Sequence, residues 1–125
     1  MFQVVKYETF SDGKIIFKEG TFGDWLYVVD EGAVEISRMV DEKKIVIAIL
    51  KAGEILGEIA YISKGGRSAT ATAVGKTTVG IIDRNSFDHE FNVLSSDFQM
   101  ILKTMASRLK TTTDALMEVQ KQSNK

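Results

Sequence analysis

The sequence contains no cysteine and only one histidine, His89. Disulfides, thiolate chemistry, cysteine metal sites and metal clusters of several histidines are therefore excluded. His89 itself is expected to be a surface or hinge-helix residue rather than part of a catalytic triad. The 16 basic and 17 acidic residues give a formal charge of −1, which offers no broad surface for nucleic acid or an anionic membrane. Because the first residues show neither a signal peptide nor a transmembrane run, we expect a cytoplasmic protein. We also expect no bound metal or cofactor.

The chain is long enough for one domain. Its glycines all lie at or before Gly80, which divides the chain into a turn-rich part and a part without glycine. Upstream, short apolar or alternating runs separated by turns predict strands at residues 4–9, 14–17, 25–30, 33–40, 44–50, 69–74 and 77–83. Downstream, the pattern becomes helical at 85–94, and a long helix begins at Ser95 or Ser96, where Ser96 and Gln99 have capping-box spacing. A mainly β sandwich or roll followed by two helices is the predicted fold.

One short stretch places several groups for binding an anion close together. Glycine at Gly57 lets the backbone approach a phosphate, and a helix that begins at Glu58 would direct its first amides toward that anion. Arg67 adds a permanently charged planar fork, and Ser68 adds a hydroxyl. Since a carboxylate repels phosphate, Glu58 is expected to accept hydrogen bonds from ligand hydroxyls, as a ribose offers. The stretch therefore predicts a site for a phosphorylated sugar.

At these residues the chain resembles the cyclic nucleotide-binding domain family, whose phosphate-binding cassette reads Phe-Gly-Glu-Leu-Ala and then Pro-Arg-Ala-Ala. The cassette lies at residues 56–69, and the stretches from Asp12 to Gly20, from Gly23 through Asp24 to Val29 and from Asp30 to Ile36 resemble the family's preceding strands. Two residues depart from the pattern. Leu56 replaces the usual phenylalanine and Gly66 the frequent proline, and neither change removes a ligand contact.

The resemblance implies an antiparallel β-roll, jelly-roll-like, over residues 1–83, a hinge helix at 84–94, a dimerisation helix at 95–120 and a polar tail at 121–125. It also implies a regulatory ligand, cyclic AMP, with cyclic GMP as the other possibility. The residues expected to bind the sugar and phosphate are Gly57, Glu58, Ile59, Ala60, Arg67 and Ser68. Those expected to form an apolar wall around the nucleotide are Phe17, Ile36, Ile47 and Leu56.

The long helix carries a heptad seam, because its apolar positions alternate in steps of four and three. The seam comprises Phe98, Leu102, Met105, Leu109, Thr112, Leu116 and Val119. A helix over residues 97–120 would be roughly 36 Å long, more than a domain with a radius of gyration of about 14 Å can cover. We expect a homodimer through two parallel helices. The alternative is a single amphipathic helix lying along its own β-domain.

Within the family, the segment from Ile82 to Leu109 is similar to the hinge and dimer helix of the bacterial catabolite activators. By that resemblance, Arg108 corresponds to an arginine near the ligand phosphate that also meets Glu58. Thr112 and Thr113 fall where two hydroxyl residues, one from each subunit, contact adenine. The resemblance implies a sensor that transmits ligand occupancy through the hinge and the dimer helix to an output domain or protein partner.

The sequence alone leaves other functions open. Glu58 could act as a general base, but no second acid or nucleophile accompanies it, and Arg67 is expected to keep it ionised, so we predict no enzyme activity. A family member with a vestigial pocket, serving as a dimeric interaction module without nucleotide, is the other alternative. Trp25 and Tyr27 are assigned to the core as alternate strand residues. Since no DNA-reading element follows the long helix here, we expect either part of a larger regulator or a stand-alone module.

Overall fold

The computed structural model describes residues 3–23, 25–63 and 65–123. Asp24, which belongs to one of the resembling stretches, and residues 124–125 of the predicted tail lie outside the described residues. In chain order the elements are β1 (Val4–Phe10), β2 (Ile15–Phe17), β3 (Leu26–Val40), β4 (Lys43–Lys51), β5 (Ile55–Leu56), α1 (Glu58–Ser63), β6 (Thr70–Ile82), α2 (Arg84–Asn92) and α3 (Ser96–Ser123). Strands followed by helices confirm the predicted fold class.

The strands form one antiparallel sheet that rolls around its own core. Its main path runs β1–β6–β3–β4, while β2 pairs with β6 and β5 pairs with β3. The interior is filled by buried apolar side chains from β3, β5 and β6, among them Val29, Val34, Leu56, Ala71 and Val79. This arrangement is the β-roll that the resemblance implied, and it encloses the residues on which the candidate site is built.

Two predicted strand breaks are absent, because β3 and β6 each continue through a glycine. Gly32 and Gly75 adopt φ angles of 86° and 69°, and the β3–β6 register shifts on either side of Glu31. Such bulges bend a strand without ending it. The fully buried hydroxyl of Thr77 donates to the carbonyl of Ala33, at 2.9 Å, and so ties the bent parts of the two strands together. The short β5 was also not predicted.

The junction between α2 and α3 differs from the predicted capping box. Ser95, rather than Ser96, caps α3, because its hydroxyl accepts the backbone N–H of Phe98 at 3.2 Å. The side chain of Gln99 donates instead to the carbonyls of Phe91 and Leu94, at 3.3 and 3.2 Å. Gln99 thus joins the end of α2 to the start of α3. Helix α2 also ends at Asn92 rather than at the predicted Leu94.

The long helix α3 has two different apolar faces. Ala106 and Met117 are buried against the rest of the chain, where α3 contacts α1 and β3. The predicted seam is instead largely exposed in this single chain: Phe98 and Val119 each retain 61% of their accessible surface. One face of the helix thus packs on its own roll, as the alternative expected, and the dimer seam stays a prediction. The helix continues to Ser123, so it includes residues that were assigned to the tail.

Within the described residues, none of the helices combines the length and the apolar character needed to cross a membrane.

Candidate functional site

A cavity of about 330 Å³ lies between the roll, α1 and the middle of α3. Its volume is within the range of about 300–1,000 Å³ typical of small-molecule sites. The residues that line it are Phe17, Ile36, Ile47, Ala48, Leu50, Ile55, Leu56, Gly57, Glu58, Ile59, Ala60, Arg67, Ser68, Ala69, Leu109 and Thr113. All the predicted site residues except Arg108 and Thr112 are in this set.

The charged centre of the cavity is the guanidinium of Arg67, a residue only 4% exposed. It donates hydrogen bonds to the carbonyls of Trp25 and Gly57, at 2.9 and 3.3 Å. Its carbon Cζ lies 4.4 Å from the centre of the Phe17 ring, a cation–π distance. These contacts fix the plane of the guanidinium, so its orientation is set before any ligand arrives.

Gly57 makes this close arrangement possible. Its φ angle is +90°, a conformation that glycine adopts readily and other residues rarely do. A Cβ atom placed there would come within 2.6 Å of Nη1 of Arg67 and 2.9 Å of the carbonyl oxygen of Trp25. Any side chain at position 57 would therefore displace the guanidinium. The requirement for glycine comes from Arg67 as much as from the turn.

Glu58, at the start of α1, lines the same cavity in a partly buried position. Burial raises the pKa of its carboxyl group, and the hydrogen bond from its own backbone N–H lowers it by less. A salt bridge with Arg67 would shift the pKa of Glu58 in the opposite direction. The net shift at Glu58 is therefore opposite to the lowering expected from Arg67, because burial has the larger effect. A ligand that donates hydrogen bonds to this carboxylate would favour its ionised form.

The remaining cassette residues border the cavity through backbone and small side chains. Ile59 and Ala60 belong to α1, and Ser68 and Ala69 directly follow Arg67. Because α1 has only six residues, its dipole is a weaker source of positive potential than the sequence suggested. Arg67 is thus the main positive group that an anion in this cavity would meet.

Helix α3 closes the cavity with Leu109 and Thr113, which are one helical turn apart. The Thr113 hydroxyl donates to the carbonyl of Leu109 at 2.8 Å. The structure does not bring Thr112 or Arg108 to this cavity, because adjacent helix positions differ by about 100° in direction. Arg108 instead lines an open groove on the outer side of α3, whose lining residues all belong to that helix.

Several residues of the site were not predicted. Ala48, Leu50, Ile55, Ala69 and Leu109 complete the cavity wall, and the main-chain carbonyl of Trp25 holds Arg67. The side chain of Trp25 is half-exposed, so its assignment to the core is wrong, whereas Tyr27 is buried. The Trp25 carbonyl could not have been predicted, because every residue has a main-chain carbonyl and the sequence does not show which one contacts Arg67. Leu109 had a signal but was assigned to the seam alone.

The described part of the chain contains no group of three or more histidine, cysteine, aspartate or glutamate side chains positioned to hold a metal ion. The site is therefore built from one buried cation, one partly buried carboxyl group, backbone amides and an apolar wall. An amphiphilic ligand with an anion and a hydroxyl suits this combination.

Comparisons with known proteins agree with this geometry. The family model of the cyclic nucleotide-binding domain matches residues 7–92. A CRP-like cAMP-activated global transcriptional regulator of Mycobacterium tuberculosis is 26% identical over 111 residues, which cover 88% of this chain and 50% of that protein.

Solved structures give the same result. The cAMP-bound form of the EAL enzyme Bd1971 is similar with a TM-score of 0.81 and 27% identity, covering 92% of this chain and 31% of that chain. Its cGMP-bound form is similar with a TM-score of 0.79 and 28% identity, and the match covers 84% of this chain and 28% of that chain. This chain thus spans half or less of the length of these proteins. It belongs to the cyclic nucleotide-binding domain family.

Proposed function

We propose that this chain is a sensor that binds cyclic AMP in the cavity and passes ligand occupancy to α2 and α3. The observation that carries the proposal is the buried guanidinium of Arg67, held in a fixed plane beside Gly57 at the edge of an apolar cavity. A cyclic phosphate beside Arg67 would add a charge-assisted hydrogen bond in a site of low polarity.

The rest of the nucleotide fits the remaining groups. The ribose 2′-hydroxyl would donate to the Glu58 carboxylate, which explains a carboxyl group next to a phosphate site. The base would lie against the apolar wall of Phe17, Ile36, Ile47 and Leu56, which all line the cavity. Ser68 would contribute its hydroxyl or its N–H to the phosphate. One ligand then uses both the polar and the apolar parts of the site.

A route from the cassette to α2 passes through Tyr61 of α1. The Tyr61 ring contacts the Phe87 ring edge to face, with centroids 4.5 Å apart, and the Tyr61 hydroxyl donates to the carboxylate of Asp88. Any movement of α1 on ligand binding would therefore shift α2 through these contacts. Because a ligand shifts a conformational equilibrium only through different contacts in two states, α1 is the element expected to differ between them.

The uncovered seam of α3 supports a homodimer of two parallel helices. Thr112 belongs to that seam, whereas Thr113 lines the cavity of its own chain. In such a dimer, Thr113 would meet the base in its own subunit, and Thr112 would approach the base bound by the partner. The bound nucleotide would then contribute to the dimer interface.

Replacing the guanidinium should remove binding. We predict that Arg67→Ala weakens cyclic AMP binding at least a hundredfold. Losing the partner of a buried charge costs about 3–5 kcal/mol, and each tenfold loss of affinity corresponds to about 1.4 kcal/mol. Calorimetric titration measures the change, and Lys43→Ala, an exposed cation outside the cavity wall, is the control. Binding by a folded Arg67→Ala within threefold of the wild type would remove Arg67 from the phosphate site.

Glu58→Gln should separate stability from binding. Because folding raises the pKa of Glu58, the folded state retains a proton that the unfolded state releases, and stability falls as the pH rises through the two pKa values. The ligand-free variant should therefore be more stable than the wild type at neutral pH, with the difference vanishing below the unfolded pKa in urea denaturation.

Binding should change in the opposite direction. Losing a hydrogen bond to a charged group costs about 1.5–3 kcal/mol, so Glu58→Gln should bind cyclic AMP about tenfold or more weakly. Wild-type affinity should also decrease as the pH falls toward the raised pKa, while the variant stays flat. Glu90→Gln, an exposed carboxylate on α2, is the control. Identical pH profiles for wild type and Glu58→Gln would contradict the ribose assignment.

The exposed seam predicts a dimer at micromolar concentration. Leu116 is 51% exposed in the single chain and does not line the cavity, so Leu116→Glu should dissociate the dimer by placing like charges across it without touching the ligand site. Thr111→Glu, on another face of the same helix, should leave the dimer intact. A wild-type chain that sediments as a monomer with and without cyclic AMP would rule out the parallel seam.

Base preference should depend on the two threonines. One hydrogen bond is worth about 1–1.5 kcal/mol, so cyclic AMP should bind roughly tenfold better than cyclic GMP. In competition binding, Thr113→Ala and Thr112→Ala should each narrow that ratio, and the neighbouring Thr111→Ala should not. A preference for cyclic GMP, or an unchanged ratio in the Thr112/Thr113 double variant, would exclude these hydroxyls from base recognition.

A further inference from the structure

An ion pair with a buried guanidinium joins α3 to the roll beside the cavity. Nη1 of Arg38, on β3, donates to Oδ1 of Asp114, on α3, at 2.5 Å. The two residues are 76 positions apart in the sequence. Arg38 is only 8% exposed, which is unusual for a residue type that normally reaches solvent. The side chain of Asp114 is 50% exposed, so the pair lies at the edge of the contact between strand and helix.

The buried charge of Arg38 is neutralised mainly by Asp114. Among the described residues, Asp114 is the carboxylate paired with Arg38, and Nε of Arg38 is buried there without a hydrogen-bond partner. Lys110 also approaches Asp114, at 3.8 Å, but from one turn earlier on the same helix. Lys110 therefore cannot tie the helix to the strand. A buried guanidinium that depends on one carboxylate strongly favours the helix position that supplies it.

The pair connects directly to the cavity wall on both sides. On β3, Ile36 lines the cavity two residues before Arg38, and on α3, Thr113 lines it immediately before Asp114. Leu109, the other helix residue of the wall, is five positions earlier on α3. Since a helix is rigid over this distance, fixing Asp114 also fixes Leu109 and Thr113 relative to the strand.

We infer that Arg38 and Asp114 are positioning residues, which hold α3 over the nucleotide cavity so that Leu109 and Thr113 form its lid. Neither residue lines the cavity, so their effect on a ligand acts through the helix. The role in ligand affinity rests on the proposed function, whereas the attachment of the helix does not. The pair also lies away from the seam, because Asp114 follows the seam residue Thr112 by two positions and points to another side of the helix.

The attachment can be tested without a ligand, because the chain has no cysteine. Met117 is buried where α3 meets the roll, three residues after Asp114, so Met117→Cys introduces a single shielded thiol whose reactivity reports helix detachment. In this background, Arg38→Met and Asp114→Asn should each raise the rate of thiol modification at least fivefold. The charge-swapped pair, Arg38→Asp with Asp114→Arg, should restore protection, and Lys110→Gln should leave it unchanged.

The same variants should change cyclic AMP affinity in parallel. Each single variant should weaken binding at least fivefold, within the range of about 5–150-fold usual for coupling between sites, and the swapped pair should recover most of that loss. Arg38→Met leaves no buried charge unpaired, so it remains informative if Asp114→Asn fails to fold.

Three results would overturn the inference: a thiol that stays protected in the single variants, a swapped pair that fails to recover, or a detached helix with unchanged affinity. A wild-type chain that does not bind cyclic AMP would contradict the proposed function instead, and the thiol measurement would still decide whether the pair holds the helix.

Discussion

The buried guanidinium of Arg67 is the constraint on which the site depends. A permanent charge away from water is costly unless it is held by hydrogen bonds and an opposite charge. Among the contacts that hold it are two carbonyls and the Phe17 ring, and the carbonyls come from the turn at Gly57 and from Trp25, the residue before β3. The cassette, the strand and the aromatic wall are therefore organised around one side chain.

The second organising element is α3, because one helix serves two surfaces. Its buried face closes the cavity and is joined to the roll by Arg38 and Asp114, while its exposed apolar face is available to a partner. In the proposed dimer, this helix would contact the ligand cavity on one side and the second subunit on another, which would give a direct physical path between the two. Since α2 and α3 are joined through Gln99, motion of α1 also has a continuous route to this helix.

Local sequence predicted the parts of the site that depend on short-range chemistry. Gly57, Glu58, Arg67 and Ser68 lie within one cassette, so their types and spacing were enough to bring them to one cavity. The family and the β-roll followed from the order of several such motifs. The apolar wall was also predicted, but only through the resemblance.

Features set by tertiary packing were beyond the sequence patterns. Gly32 looked like a strand end, because the Thr77 hydroxyl that ties this bend to β6 comes from another strand. The raised pKa of Glu58 depends on burial, which spacing does not report. The direction of α3 decides that Leu109 and Thr113, rather than Arg108 and Thr112, line the cavity. Arg38 and Asp114 are too distant in sequence for any local pattern to pair them.

The central claim is that this cavity holds a cyclic nucleotide as a regulatory ligand. Calorimetric titration of the unmodified chain with cyclic AMP, followed by recovery of the nucleotide, tests it most directly. We expect saturable binding of one nucleotide per chain and intact cyclic AMP after prolonged incubation. No binding at about 1 mM nucleotide, which corresponds to less than about 4 kcal/mol of affinity, would indicate a vestigial pocket, and conversion of the nucleotide would indicate an enzyme.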